Sequence, residues 1–131
     1  MKVLALDYGS ARTGVAVSDP TGTLARPLEV VESASSPAGL RRLAGLIERE
    51  AVEAIVVGLP VTLRGERGAQ AEETDRFVAA LRGVTDVPVE SFDERFTTKL
   101  AESRPTRAEP DAVAAAHLLS TYLEWKSALP S

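Results

Sequence analysis

Apolar residues along this chain switch repeatedly between short unbroken runs and a helical spacing, and the switches predict its elements. Residues 2–6 (KVLAL), 13–18 (TGVAVS) and 24–31 (LARPLEVV) read as three strands joined by short turns containing Gly or Pro. Connections that short make antiparallel neighbours. Ser36-Pro37 then offers a capping hydroxyl and a proline preset for a first helical turn. Leu40, Leu43 and Ile47 follow at helical spacing as a buried stripe. AIVVGLP, residues 54–60, is a continuous apolar strand closed by Gly58 and Pro60, and VTLRGERG beyond it is a polar loop. A second amphipathic helix is predicted over 70–82, with Ala71, Thr74, Val78 and Leu81 on its inner side. VPVESF, residues 87–92, is a fifth strand; a short helix over 98–103 stops before Pro105. The last helix opens at Pro110-Asp111 and packs through Ala112, Ala115, Ala116, Leu119, Tyr122 and Leu123. The order βββαβαβαα predicts an α/β fold with a mixed five-stranded sheet flanked by helices. No repeat or linker interrupts it, so residues 1–131 are expected to form a single domain.

Composition narrows the chemistry. There are no cysteines and one histidine, which excludes disulfides, thiolate zinc, cysteine nucleophiles and multi-histidine metal sites. Any metal would be held by carboxylates, which suits hard ions such as Mg2+ or Mn2+. No apolar run approaches the length of a membrane span, and Asp7 interrupts the N-terminal apolar run before it resembles a secretory signal. Both observations point to the cytoplasm. The net charge of −4 argues mildly against a nucleic-acid partner, but twelve of the fifteen basic residues are Arg, the side chain suited to paired phosphate contacts. Arg12, Arg64, Arg67, Arg104 and Arg107 all fall in predicted loops, where they serve equally as solvated charges or as phosphate contacts.

Within LALDYGSARTGVAVSD, residues 4–19, a buried strand runs straight into Asp7 before the chain turns back. A lone carboxylate removed from water costs several kcal/mol unless something neutralises it. Asp93 and Glu94 hold the equivalent position after the fifth strand, and Asp111 opens the last helix. Ligand sites in open α/β sheets form beyond the carboxyl ends of strands. Three carboxylates converging there would repel one another, and two divalent ions ~3.5–4 Å apart, the usual arrangement for phosphodiester cleavage, would resolve the conflict. Each residue also has a plain structural explanation. Asp7 suits a turn, Asp111 suits a helix N-terminus, and Asp93-Glu94-Arg95 suits a solvated loop with a weak surface ion pair. His117 is expected to pack or face water, and Trp125 to anchor the last helix rather than stack on a base.

Four blocks, LALDYGSARTGVAVSD, IVVGLP, DERFTT and PDAVAAAHLLSTYLE, in this order closely resemble the YqgF (RuvX-like) family. These are ribonuclease H-like proteins similar to RuvC-type resolvases, associated with Holliday junction resolution in recombination and repair and with 5′-end processing of pre-16S rRNA. The resemblance covers essentially the whole chain. It implies a ribonuclease H-like fold, with Asp7 as the first-strand catalytic aspartate and metal ligand, Glu94 (or Asp93) as the acidic ligand of the DER block, and Asp111 as the aspartate of the last helix. It implies that Arg95, Thr97 and Thr98 support that carboxylate or contact phosphate. Two departures stand out. The basic segment before the last aspartate is shortened to KLAESRPTRAEP, and the loop after IVVGLP reads VTLRGERG where the family usually has a sequence like LNMDGTE.

The expectation is therefore a nuclease using Mg2+ or Mn2+, with two ions, on a four-way DNA junction or precursor rRNA, acting as a monomer or homodimer. Two alternatives stay open: a catalytically inactive nucleic-acid-binding module, and the phosphate-binding half of an actin or sugar-kinase fold, which shares the strand-Asp-x-Gly-strand element.

Overall fold

Strand alternation builds the sheet and divides its two faces by residue size. The strands are β1 (Val3–Asp7), β2 (Arg12–Ser18), β3 (Ala25–Glu32), β4 (Ala54–Gly58) and β5 (Val89–Phe92). The helices are α1 (Pro37–Glu50), α2 (Ala69–Arg82) and α3 (Ala112–Ala128). This computed structural model describes residues 1–58, 69–93 and 111–129; the loop after β4 and the short helix expected over 98–103 lie outside the described residues. The spatial order is β3-β2-β1-β4-β5. β1, β2 and β3 pair antiparallel, and β4 and β5 extend the sheet in parallel. This is the mixed sheet that the sequence predicts. β5 begins at Val89 rather than at residue 87, because Pro88 lacks the N–H that a ladder needs. Its carbonyl still accepts from the Ile55 amide at 2.9 Å.

Leu4, Leu6, Val15, Val17, Ile55 and Val57 face α1 and α2, where Leu43, Leu46, Ile47, Phe77, Val78 and Leu81 close the larger core. The other face carries Val3, Ala5, Ala16, Val56 and Phe92 against Ala115, Leu118, Leu119 and Tyr122 of α3. Leu46, Phe77 and Leu118 are buried beside predicted stripe positions. A helix packed on a sheet buries a band over 100° wide rather than a single row. α1 starts as expected, with the Ser36 hydroxyl accepting from Gly39 N at 3.0 Å and Pro37 in the first turn. Ala51 ends it in the left-handed region at φ 52°, with Val52 N reaching back to the Ile47 carbonyl.

The α3 side is the shallower face, lined by small residues, so one helix lies close to the strands. Its C-terminal half is held by aromatics: Phe92 meets Tyr122 edge-on at 5.4 Å and Trp125 at 5.2 Å between ring centroids. Such pairs contribute roughly 0.5–1.5 kcal/mol each beyond buried area. Trp125 is the packing anchor the sequence suggests. The N-terminal end of α3 is fixed differently, by contact with a glycine.

Candidate functional site

Asp7 is the last residue of β1 and is partly buried. The register places Gly14 of β2 opposite it. Residues facing each other across an antiparallel pair lie about 4.5–5.5 Å apart at Cα and project to the same face. Val3 and Ala5 belong to the α3-side cluster, and alternation carries Asp7 to that side as well.

Asp111 arrives on the same spot from α3. A Cβ added to Gly14 would lie 1.9 Å from the Asp111 carbonyl oxygen, 2.3 Å from its carbonyl carbon and 2.9 Å from its Cα. The residue opening α3 therefore rests on the backbone of the residue facing Asp7. Asp111 caps the helix from an extended conformation at φ −149° and ψ 176°, its Oδ1 accepting from Ala114 N at 2.7 Å. Its carbonyl accepts the first helical bond, from Ala115 N at 3.0 Å. Asp111 is thus the N-cap of α3, one step before the first-turn position where the sequence suggested only a favourable dipole interaction, and its main chain rests on the residue facing Asp7.

Gly58, at the end of β4, continues the same face; a Cβ there would meet the Leu118 side chain at 2.9 Å. Asp93 follows Phe92 at the end of β5 and is partly buried. Phe92 faces α3, so Asp93 leaves the strand from the opposite side of the pleat. Arg12 opens β2, is exposed, and shares the Gly14 side by alternation. Glu94, Arg64, Arg67, Arg95, Thr97, Thr98, Arg104 and Arg107 lie outside the described residues. His117 is exposed on α3, away from these groups. Among the described residues, no cluster of three or more His, Asp or Glu side chains suits a metal ion. A cavity of about 460 Å³ opens at the other ends of the strands, around Met1, Ile55, Tyr122 and Lys126, and none of the described candidate residues lines it.

Sequence reasoning missed the supports of this rim. Tyr8, buried on the far side of β1, stacks on Phe77 at 4.4 Å and donates its hydroxyl to Glu73 at 2.9 Å. Thr13 Oγ1 accepts from Gly9 N at 3.5 Å and donates to Gly9 O at 3.4 Å, holding the β1–β2 turn. Gly14 had a signal in the sequence, because a glycine inside a strand marks a bulge or a close backbone approach.

Both tyrosines of the chain give a spectroscopic check on this packing. Burial raises the Tyr8 pKa, with a Ser35 hydrogen bond opposing and Glu73 reinforcing the shift. Burial pushes Tyr122 well above the usual tyrosine range, reinforced by the hydrogen bond it donates to Glu90. A group with a raised folded pKa contributes stability that is complete below its unfolded value, about 10 for tyrosine, and lost as pH climbs past it. The folded protein should therefore show less tyrosinate absorbance at pH 10 than the unfolded chain, and further tyrosinate at higher pH should accompany unfolding. Tyr122→Phe should weaken that alkaline loss. As much tyrosinate at pH 10 as in the unfolded chain, with the far-ultraviolet circular dichroism intact, would contradict the packing of both rings.

Residues 1–125 match the sequence profile of the family described as "RuvX: Holliday junction resolvase". A Rubrobacter xylanophilus protein named "Putative pre-16S rRNA nuclease" is 47% identical over 131 residues, covering 94% of this chain and 92% of that protein. A Chloroflexus aurantiacus protein of the same name is 38% identical over 138 residues, covering 98% and 90%. Thermus thermophilus RuvC in complex with a Holliday junction substrate superimposes with a TM-score of 0.60 at 20% identity, covering 98% of this chain and 96% of that one. The fowlpox virus resolvase in complex with Holliday junction DNA gives a TM-score of 0.55 at 13% identity, covering 96% and 99%. At those identities the structural likeness speaks to the fold, which is the ribonuclease H-like one that the sequence resemblance implied. With residues 1–125 matched by the family profile and a relative 47% identical over 94% of the chain, this chain belongs to the RuvX (YqgF) family.

Proposed function

We propose that this protein is a divalent-metal-dependent nuclease that hydrolyses phosphodiester bonds in structured nucleic acid, either a four-way DNA junction or precursor rRNA. The observation that carries the reading is the seating of Asp111 on Gly14, opposite Asp7, at the carboxyl rim of the sheet. Family membership supports it.

The donor set would fit a hard ion: Asp111 packs through its main chain on the residue that faces Asp7, and the chain has no thiol to compete. Asp7, Asp111 and, as the third ligand, Glu94 would hold Mg2+ or Mn2+, as one ion or two, supplying an activated water and counter-charge for the leaving 3′ oxygen. We favour Glu94 over Asp93 as the acidic ligand of the DER block, on the family resemblance. The chain's own residues do the rest. Asp7 is fixed by a strand buried among its neighbours, and Asp111 by its cap and its carbonyl. Arg12 offers positive charge on the Asp7 side of the rim. Arg95 would orient Glu94, and Thr97 and Thr98 would contact phosphate. Recognition would read backbone and shape rather than bases. We further propose that the chain works as a single domain in the cytoplasm, as a monomer or homodimer; no described helix is long and apolar enough to cross a membrane.

The test sets a synthetic four-way DNA junction beside a precursor rRNA fragment, each with Mn2+, Mg2+ or EDTA. Cleavage of either with metal and of neither with EDTA supports the reading, and the preferred strand names the substrate. Binding of both without cleavage under any condition makes the protein a binding module instead.

Substrate affinity should depend on the arginines rather than on the net charge. Each neutralised phosphate releases counterions, giving a salt slope of about −0.9 per contact on duplex DNA. Replacing Arg64 and Arg67 together by Ala should flatten that slope by up to about two units and weaken binding alike for all sequences. An unchanged slope in a salt titration on a fixed junction would move the contact to Arg104 and Arg107.

A further inference from the structure

We infer that Gly14 is a positioning residue: its missing side chain sets the separation of Asp7 and Asp111. The inference deepens the metal-site reading and rests on it only for its functional meaning; the geometry stands by itself. Asp111 touches β2 through main-chain atoms, with its carbonyl oxygen 1.9 Å from where a Gly14 Cβ would stand. A main-chain group cannot swing aside as a side-chain tip does. The same carbonyl accepts from Ala115 N, and the carboxylate of the same residue accepts from Ala114 N. Any atom added at Gly14 must therefore lift the whole first turn of α3, and the carboxylate with it. Gly14 is also the residue that the register places opposite Asp7, so the displacement opens the gap between the two carboxylates directly. Gly58 supplies the contrast. It lies on the same face under the same helix, yet a Cβ there meets only the flexible end of Leu118. Alanine at either position crowds α3, but only at Gly14 does it move a carboxylate.

The decisive measurement needs no metal. In the presence of EDTA, a double-mutant cycle of Asp7→Asn and Asp111→Asn reports the repulsion between the two carboxylates as a departure from additivity in thermal stability. In the parent background the double variant should melt lower than the sum of the two single changes predicts, because the repulsion is relieved only once. In the Gly14→Ala background that coupling should become measurably smaller, and in the Gly58→Ala background it should persist although both glycine variants melt lower. As a second readout, Mn2+ affinity by titration calorimetry should fall about 10- to 100-fold in Gly14→Ala, the range typical of losing a residue that orients a ligand, and hold in Gly58→Ala. Equal coupling in the parent and Gly14→Ala backgrounds, or no coupling in the parent, overturns the inference. A parent that shows the coupling but binds no Mn2+ overturns the metal reading and leaves the positioning role standing. If Gly14→Ala does not fold, Asp111→Glu in the parent background decides. With the main chain anchored on Gly14, the added methylene must displace the carboxylate, so coupling to Asp7 should change; unchanged coupling would show that the first turn is free to adjust and would overturn the inference.

Discussion

Asp7→Asn should abolish cleavage while leaving a folded protein. The drop should exceed about a hundredfold, the upper end of what losing a mere supporting partner of a metal ligand costs. Asn keeps the shape of the side chain at the end of β1, so the strand, its pairing with Gly14 and the Tyr8 contacts behind it should survive. Removing one of two neighbouring negative charges relieves repulsion, so the melting temperature without metal should hold or rise. The comparison is of cleavage rates with Mn2+ alongside melting curves in EDTA. A variant that cuts as fast as the parent would reduce Asp7 to a turn residue.

Asp111→Asn separates the two roles that meet in one side chain. Asn caps a helix as well as Asp does, so the bond to Ala114 N should be kept and the metal-free stability with it. The metal response should not be kept. A site that binds only the folded chain stabilises it by about 2.7 kcal/mol at a hundredfold excess over Kd. For a chain of this size that is a rise in Tm on the order of 10 °C. Each tenfold loss of affinity removes about 1.4 kcal/mol of it, so the variant should show a clearly smaller Mn2+ shift than the parent. An identical shift in both proteins would put Asp111 outside the metal shell and leave it a cap alone.

Much of this was legible in the chain itself. Continuous apolar runs gave five strands and their order in sequence, and short turns gave the antiparallel half of the sheet. Asp7 and Asp111 stood out because a carboxylate at the end of a buried strand and another opening the last helix are both local features. What links them, the packing of the Asp111 main chain on the residue that faces Asp7, was not local. It depends on α3 returning to the far side of the sheet, on a register that faces Asp7 with Gly14, and on a main-chain contact that no periodicity encodes. Tyr8 was missed for a related reason, since its partners Phe77 and Glu73 lie on α2 and come near only in the folded sheet. The family resemblance supplied the carboxylate set sooner than spacing did, but it carried no account of what holds the set in place.

The arrival of α3 on the shallow face has a consequence for synthesis. Asp111 is synthesised about a hundred residues after Asp7, and the two elements that carry them come together only when α3 docks over Ala5, Ala16 and Val56. A chain halted before α3 carries half of the carboxylate pair and an uncovered apolar face. It should be recognised as unfinished by proteases well before it could cut anything. Joining Asp7 to Asp111 is thus tied to the docking of α3, so the earlier aspartate cannot act ahead of the helix that follows it in the chain.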